Sequence, residues 1–136
     1  MLKRLNKNRR GVESVEVALT LPLLSIAIFA TVAITHRWHL EKMIKLATYE
    51  AIKVGCAVDG DAEDAKRIFS QHVAAMGIEG ATLNIDEDSF NDAKVGDLLR
   101  LRGTAPISNN RLLAPVSLSL DPNISGGWVF YRKESL

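Results

Sequence analysis

The residues whose types and spacing suggest chemistry stand together near the start of the chain, in Arg9-Arg10-Gly11-Val12-Glu13-Ser14-Val15-Glu16. Two arginines precede Gly11, and Glu16 follows at the edge of a long uncharged segment. A carboxylate is costly at membrane depth, so a plain membrane anchor does not need one there. We therefore interpret this stretch as a cleavage and assembly signal.

The segment 17–35 predicts a transmembrane helix. It carries no charged side chain, and a helix of this length spans about 28 Å, close to the hydrocarbon thickness of a bilayer. The basic residues on its N-terminal side are Lys3, Arg4, Lys7, Arg9 and Arg10. The positive-inside rule then predicts a single-pass protein with its N-terminus in the cytoplasm and the bulk of the chain outside.

The composition limits which partners and cross-links the chain can have. The whole chain has a net charge of +1, with 17 basic and 16 acidic residues. Without the basic residues that precede Gly11, the balance becomes acidic, which argues against nucleic acid as a partner. Cys56 is the one cysteine, so no intramolecular disulfide is possible, and its apolar neighbours predict a buried free thiol.

Three parts are predicted along the chain: a basic leader at 1–11, a long helix at 12–58 and an extracytoplasmic head domain at 59–136. We expect the polar leader to be unstructured. The first half of the helix is apolar all round, whereas beyond Trp38 apolar residues recur every three or four positions and predict one buried stripe. Pro22 removes a backbone hydrogen bond, which predicts a kink near 18–22.

The head domain is predicted to hold a second helix and about four short strands. Asp61 is a suitable N-cap for this helix, and Gly77 is a suitable C-terminal stop. Alternating apolar and polar residues predict strands near 83–85, 98–104, 116–120 and 128–132, with an acidic loop at 86–94 and a hairpin turn at 121–127. The predicted fold class is therefore α+β, with an antiparallel sheet packed on the helices.

One family shares the pattern of the opening stretch. The run from Arg9 to Leu24 contains Gly11, Glu16 and then Leu21-Pro22-Leu23-Leu24, and it resembles the start of the TadE-like pseudopilins of the tight-adherence (Flp) pilus system. That family has a short basic leader, a glycine, and a hydrophobic helix with glutamate at its fifth mature position. Val17 stands where an aromatic residue is common, and the rest of the chain agrees in layout.

The resemblance implies a type IV pilin-like fold and a precursor that a membrane prepilin peptidase cuts between Gly11 and Val12. The mature chain would stand in the inner membrane with a periplasmic head, and would then join or prime a fimbrium used in surface adherence. The implied partners are other pilin subunits through the N-terminal helix, the prepilin peptidase and the inner-membrane assembly platform. No cofactor is implied.

Cleavage would give Glu16 a physical role. The cut creates an α-amino group on Val12, which is largely cationic at neutral pH. In a helical bundle without water, this cation and the carboxylate both need a partner. Pairing of Glu16 on one subunit with Val12 on the next would satisfy both charges and fix the axial register.

The main alternative is an uncleaved single-pass accessory or sensor protein whose exported domain binds a ligand or partner. An ordinary signal peptide cut near Thr31-Val32-Ala33 is disfavoured, because Glu13 and Glu16 fall between the basic region and the apolar core. Export by a twin-arginine signal is disfavoured because Gly11-Val12-Glu13 lacks the apolar residues that would follow Arg9-Arg10.

Metal binding and catalysis find little support in the residue spacing. His36 and His39 share a helix face, but no third ligand is identifiable. Asp86, Asp88 and Asp97 fall on ligand positions of a calcium-binding loop. Phe90 and Asn91 stand at two other positions of that loop where an oxygen ligand and a glycine are needed. Without a nucleophile near a base, or a glycine-rich phosphate loop, we expect no metal site and no enzyme.

Overall fold

The computed structural model describes residues 5–112 and 122–133, with only the backbone for 5–10 and 12. The elements in these ranges are α1 (Leu5–Gly55), α2 (Ala62–Ala75), β1 (Thr82–Asn84), α3 (Glu87–Asn91), β2 (Leu98–Pro106), a 3₁₀ turn (Ile107–Asn109) and β3 (Asn123–Arg132). The strands form an antiparallel sheet in the order β1-β2-β3. This confirms the α+β class with a long helix, a second helix and a small antiparallel sheet. Three strands lie in the described ranges where about four were predicted, and the predicted strand at 116–120 lies outside them.

Helix α1 runs unbroken for 51 residues. It begins at Leu5, so the prediction of an unstructured leader is wrong for residues 5–11. Extending an existing helix needs no new nucleus, and lysine and arginine are good helix formers. The helix also continues through Pro22. The kink there stays a prediction, because a proline can bend a helix without ending it.

The sheet packs its inner face on the second half of α1. Along β2 and β3 most residues that face the helix are buried, and so is the matching stripe of α1. The largest of these buried side chains are Ile44, Ile52, Leu101 and Ile124. The predicted stripe beyond Trp38 is therefore confirmed, with buried positions from Leu40 to Cys56. Cys56 is a buried free thiol, as predicted.

A glycine in β3 sets how closely the sheet approaches α1. A Cβ built on Gly126 would lie 2.6 Å from the backbone nitrogen of Lys45 and 2.8 Å from its Cα. The next residue, Gly127, has a φ of 77°, and the pairing of β2 with β3 shifts register between Arg102 and Thr104. The two glycines thus form an irregularity inside a strand. The predicted turn at 121–127 is wrong from Asn123 onward, because these glycines fit the strand to the helix.

Helix α2 begins and ends as predicted. The Asp61 carboxylate accepts a hydrogen bond from the backbone N–H of Asp64 at 2.8 Å, and Gly77 follows the C-cap with a φ of 69°. Ala62, Ala65, Phe69 and Val73 are buried against α1.

Replacing Asp61 with Ala should lower the free energy of unfolding of the head by about 1 kcal/mol, because the cap acceptor is lost. Thermal unfolding of the full chain in detergent, followed by circular dichroism, should show a Tm lower by about 4–8 °C. Asp61→Asn keeps an acceptor oxygen and is the matched control. Equal losses in the two variants would contradict a capping role.

The predicted acidic loop at 86–94 contains a short helix, α3, which is a correction to the sequence analysis. The Ser89 hydroxyl donates to the Asp86 carboxylate at 2.7 Å, and Phe90 is buried beside Gly55, where a Cβ would meet its ring at 2.8 Å. The backbone N–H of Ala62 donates to the side chain of Asn91 at 3.0 Å. One buried phenylalanine and one amide therefore anchor an otherwise polar segment.

Candidate functional site

The first half of α1 is not covered by the head. Large apolar side chains point outward all around it, and they are Val15, Val17, Leu19, Leu21, Leu23, Leu24, Ile26, Ile28, Phe29, Val32 and Ile34. The most apolar window of this helix has none of its residues buried. Such a surface is unfavourable in water. Among the described residues, α1 is the one helix long and apolar enough to cross a membrane by length and composition.

The hydroxyl groups in this uncovered segment are satisfied by its own backbone. The side chains of Ser25, Thr31 and Thr35 donate to carbonyl oxygens one turn earlier at 2.8, 2.8 and 2.9 Å, and Thr20 donates to Val17 at 3.3 Å. Local bonds of this kind let hydroxyl groups sit in an apolar environment. The carboxylates of Glu13 and Glu16 have no ion pair among the described residues.

Gly11, Val12 and Glu16 all lie within α1. Four residues of helix rise about 6 Å, so Val12 and Glu16 occupy one face a single turn apart. Gly11 is exposed, and a Cβ built on it would meet nothing within 4 Å. Glycine weakens a helix interior by about 0.5–1 kcal/mol. The arrangement offers an accessible weak point in the backbone, followed within five residues by two carboxylates that have no ion pair among the described residues.

The junction between the uncovered helix and the head is held by Asn110, which the sequence analysis did not single out. The backbone carbonyl oxygen of Asn110 lies 2.9 Å from Nε2 of His36. Its side chain bridges two loops, accepting from the N–H of Glu79 at 2.9 Å and donating to the carbonyls of Glu79 and Pro106, each at 2.9 Å. No sequence pattern predicts these contacts, because an asparagine after a short turn is common.

The other candidate ligands do not converge. His36 contacts Asn110, whereas His39 is exposed. Asp86 accepts from Ser89, and Asp97 accepts from the backbone N–H of Lys94 at 2.9 Å. Within residues 5–112 and 122–133 there is no group of three or more His, Cys, Asp or Glu residues placed to hold a metal ion.

Fold and site together define a class of protein: a small α+β head packed on the second half of a long helix, with a first half able by length and composition to span a membrane. Comparisons with models of protein families, with curated proteins and with solved structures find no match.

Proposed function

We propose that this chain is a pilin-like subunit, a TadE-like minor pilin or pseudopilin of a tight-adherence pilus. Its precursor enters the inner membrane with the basic leader in the cytoplasm and the head outside. A prepilin peptidase then cuts after Gly11. The mature subunit joins or primes the fibre through the uncovered half of α1.

The observation that carries this proposal is the carboxylate of Glu16 on an uncovered apolar helix. Its neighbours Val15 and Val17 are 59% and 57% exposed, so no described part of this chain covers the helix around Glu16. An unpaired carboxylate in an apolar bundle is costly. A cut after Gly11 supplies the missing charge, because it creates a cationic amine on Val12.

The position of the pair explains why assembly would depend on it. Val12 and Glu16 lie one turn apart on the same face of α1. The amine of one subunit meets the carboxylate of the next only when the two helices are offset along their axes by a fixed amount. The apolar side chains supply the attraction between helices without a preferred offset, and the ion pair selects the register.

The direct test is the N-terminus of the membrane-bound chain, read by N-terminal sequencing and intact mass. The proposal expects a chain that begins at Val12. An uncleaved accessory or sensor protein begins at Met1, and a chain processed as an ordinary signal peptide begins beyond Ala33. Either of these results would overturn the proposal.

Replacing Gly11 with Leu should leave most of the precursor uncut. Leucine is the better helix former by about 0.8 kcal/mol, so local unwinding at the cut is harder, and its side chain obstructs a peptidase at the backbone. The fold should not change, because a Cβ at this position meets nothing within 4 Å. The measurement is the ratio of Met1 to Val12 N-termini by intact mass.

Ala18→Leu is the matched control for Gly11→Leu. Ala18 lies on the same exposed helix beyond the cut, so this change adds comparable bulk without touching the cleavage site. We expect it to be processed like the wild type. If both variants were cut equally well before Val12, the glycine would have no role in processing.

A further inference from the structure

The outer face of the sheet, which points away from α1, carries arginines and aromatic residues. Among its residues are Leu98, Arg100 and Arg102 on β2, and Trp128, Phe130 and Arg132 on β3, and the register pairs Arg100 with Phe130 and Arg102 with Trp128. Leu98, Phe130 and Trp128 are 64%, 54% and 43% exposed. The outer sheet face, as we name these six residues, has the composition of a protein interface, where tryptophan, other aromatics and arginine dominate the binding energy.

Two arginines of this face lie near Trp128. Arg100 is exposed, whereas Arg102 is half-buried and its Nε donates to the Ser125 hydroxyl at 2.7 Å. The guanidinium carbons of Arg100 and Arg102 lie 4.9 and 5.8 Å from the ring centre of Trp128. The ion pairs among the described residues are Arg37–Glu41, Lys66–Glu87 and Arg67–Asp64, and none of them involves the outer sheet face. A positive charge held over an exposed tryptophan thus faces solvent.

An acidic strip lies beside the face at the same end of the head. Asp86 and Ser89 of the α3 region line a cleft of about 290 Å³ together with Arg100 and Trp128. Asp86 and Asp88 are exposed. Because β1 pairs only with residues 102–104 of β2, α3 flanks the end of β2 that β1 leaves free. Acidic and basic strips therefore stand side by side.

This end of the head lies far from the uncovered helix. Strand β3 passes Lys45 of α1 at Gly126, and just after the strand ends Lys133 donates to the carbonyl of Gly60 at 3.1 Å. From Thr35 to Gly55 the helix rises about 30 Å. The bilayer that holds the anchor is thus not what meets Phe130 and Arg132.

We propose that a second copy of this chain covers the outer sheet face, related to the first by a two-fold axis parallel to α1. Two copies in one membrane share an orientation, which fixes the direction of the axis. When identical faces meet across such an axis, the acidic strip of one copy opposes the basic strip of the other. Asp86 and Asp88 of one copy then face Arg100 and Arg132 of its partner, twice per dimer. This pairing does not depend on cleavage after Gly11.

Charge reversal tests the pairing in the full chain, by sedimentation in detergent over a range of concentrations. The wild type should dimerise, and Arg100→Glu with Arg132→Glu should weaken the dimer by about tenfold or more, because two like-charged contacts replace two opposite ones. Asp86→Lys with Asp88→Lys should do the same. Mixing these two variants should restore dimers between differently tagged chains, and so should all four changes in one chain.

Lys42→Glu with Lys53→Glu is the control, with the same change of charge at exposed positions of α1. It should dimerise like the wild type, and circular dichroism should show that every variant is folded.

Trp128→Ala, which removes the central aromatic side chain without changing charge, should weaken the dimer as well. This variant keeps the test valid if the variant with changed aspartates does not fold. Dimers that survive both Trp128→Ala and the arginine reversals would show association through α1 instead. A monomeric wild type that binds poly-L-glutamate would show that the face binds another acidic chain. Either result would overturn the proposal.

Discussion

Glu16→Gln should be processed normally and yet fail to assemble. The amide keeps the size and hydrogen-bonding capacity of the carboxylate but not its charge. In the proposed bundle, the amine of Val12 in the neighbouring subunit would therefore lose its partner. Breaking a buried ion pair by removing one partner costs about 3–5 kcal/mol. We expect the amount of fibre sheared from cells to fall by at least about tenfold, while the cut subunit accumulates in the membrane.

The readout for this variant has to separate processing from assembly. Intact mass should still show a chain that begins at Val12, whereas the sheared fraction should be depleted of fibre, whether the chain is built into the fibre or primes it. Glu13→Gln is the matched control, because it removes the same charge on the same helix at a residue to which the proposed pairing gives no role. Wild-type assembly of Glu16→Gln would refute the pairing of Glu16 with Val12.

Gly126→Ala should cause a large loss of stability in the head, although it adds only one methyl group. The added Cβ would stand 2.6 Å from the nitrogen of Lys45, 2.8 Å from its Cα and 3.0 Å from the carbonyl carbon of Ile44. These are backbone atoms of α1, which cannot rotate away as a side chain can. Overpacking costs about 1–3 kcal/mol, and we expect the upper end, or a Tm lower by about 12 °C or more.

Two comparison variants make the Gly126 prediction specific. A Cβ at Gly103 would meet side-chain atoms: Cγ2 of Ile44 and Cε2 of Phe69, each at 2.8 Å, and the Thr48 hydroxyl. Because side chains can shift more easily than the helix backbone, Gly103→Ala should lower the stability less than Gly126→Ala. Thr104→Val changes the next residue of β2, loses the exposed hydrogen bond to the Thr82 hydroxyl and should cost about 0.5–1.5 kcal/mol. A Tm for Gly126→Ala no lower than that of Thr104→Val would contradict the close approach.

Local patterns predicted the helices of this chain well. The uncharged run at 17–35 and the apolar stripe that follows it predicted one long helix, and Asp61 and Gly77 predicted the start and end of α2. These features depend on nearest neighbours in the chain, namely side-chain spacing, a cap acceptor and a residue that accepts a positive φ. The leader was misjudged because a polar sequence next to a formed helix extends it at little cost.

The sheet was predicted less well, because strand pairing joins distant residues. Ser125-Gly126-Gly127 has the composition of a turn, yet it lies within β3, since Gly126 lets the strand pass against the backbone of α1. The acidic segment at 86–94 has the composition of a loop, yet Phe90 fixes a helical turn by packing beside Gly55. The composition of a segment shows which backbone conformations its residues can adopt. Contacts with distant residues decide which of these conformations forms.

The candidate site divides in the same way. By itself the sequence determined Gly11, Val12 and Glu16, because a basic leader, a glycine and a carboxylate before an apolar run depend only on order along the chain. Only the tertiary structure decided that the apolar half of α1 stands uncovered around Glu16, that Asn110 joins His36 to two loops, and that Asp86 lies beside Arg100 and Trp128. The physical reason is that exposure and juxtaposition are properties of the packed chain, whereas the proposed cleavage signal and the apolar run depend only on the order of residues along it.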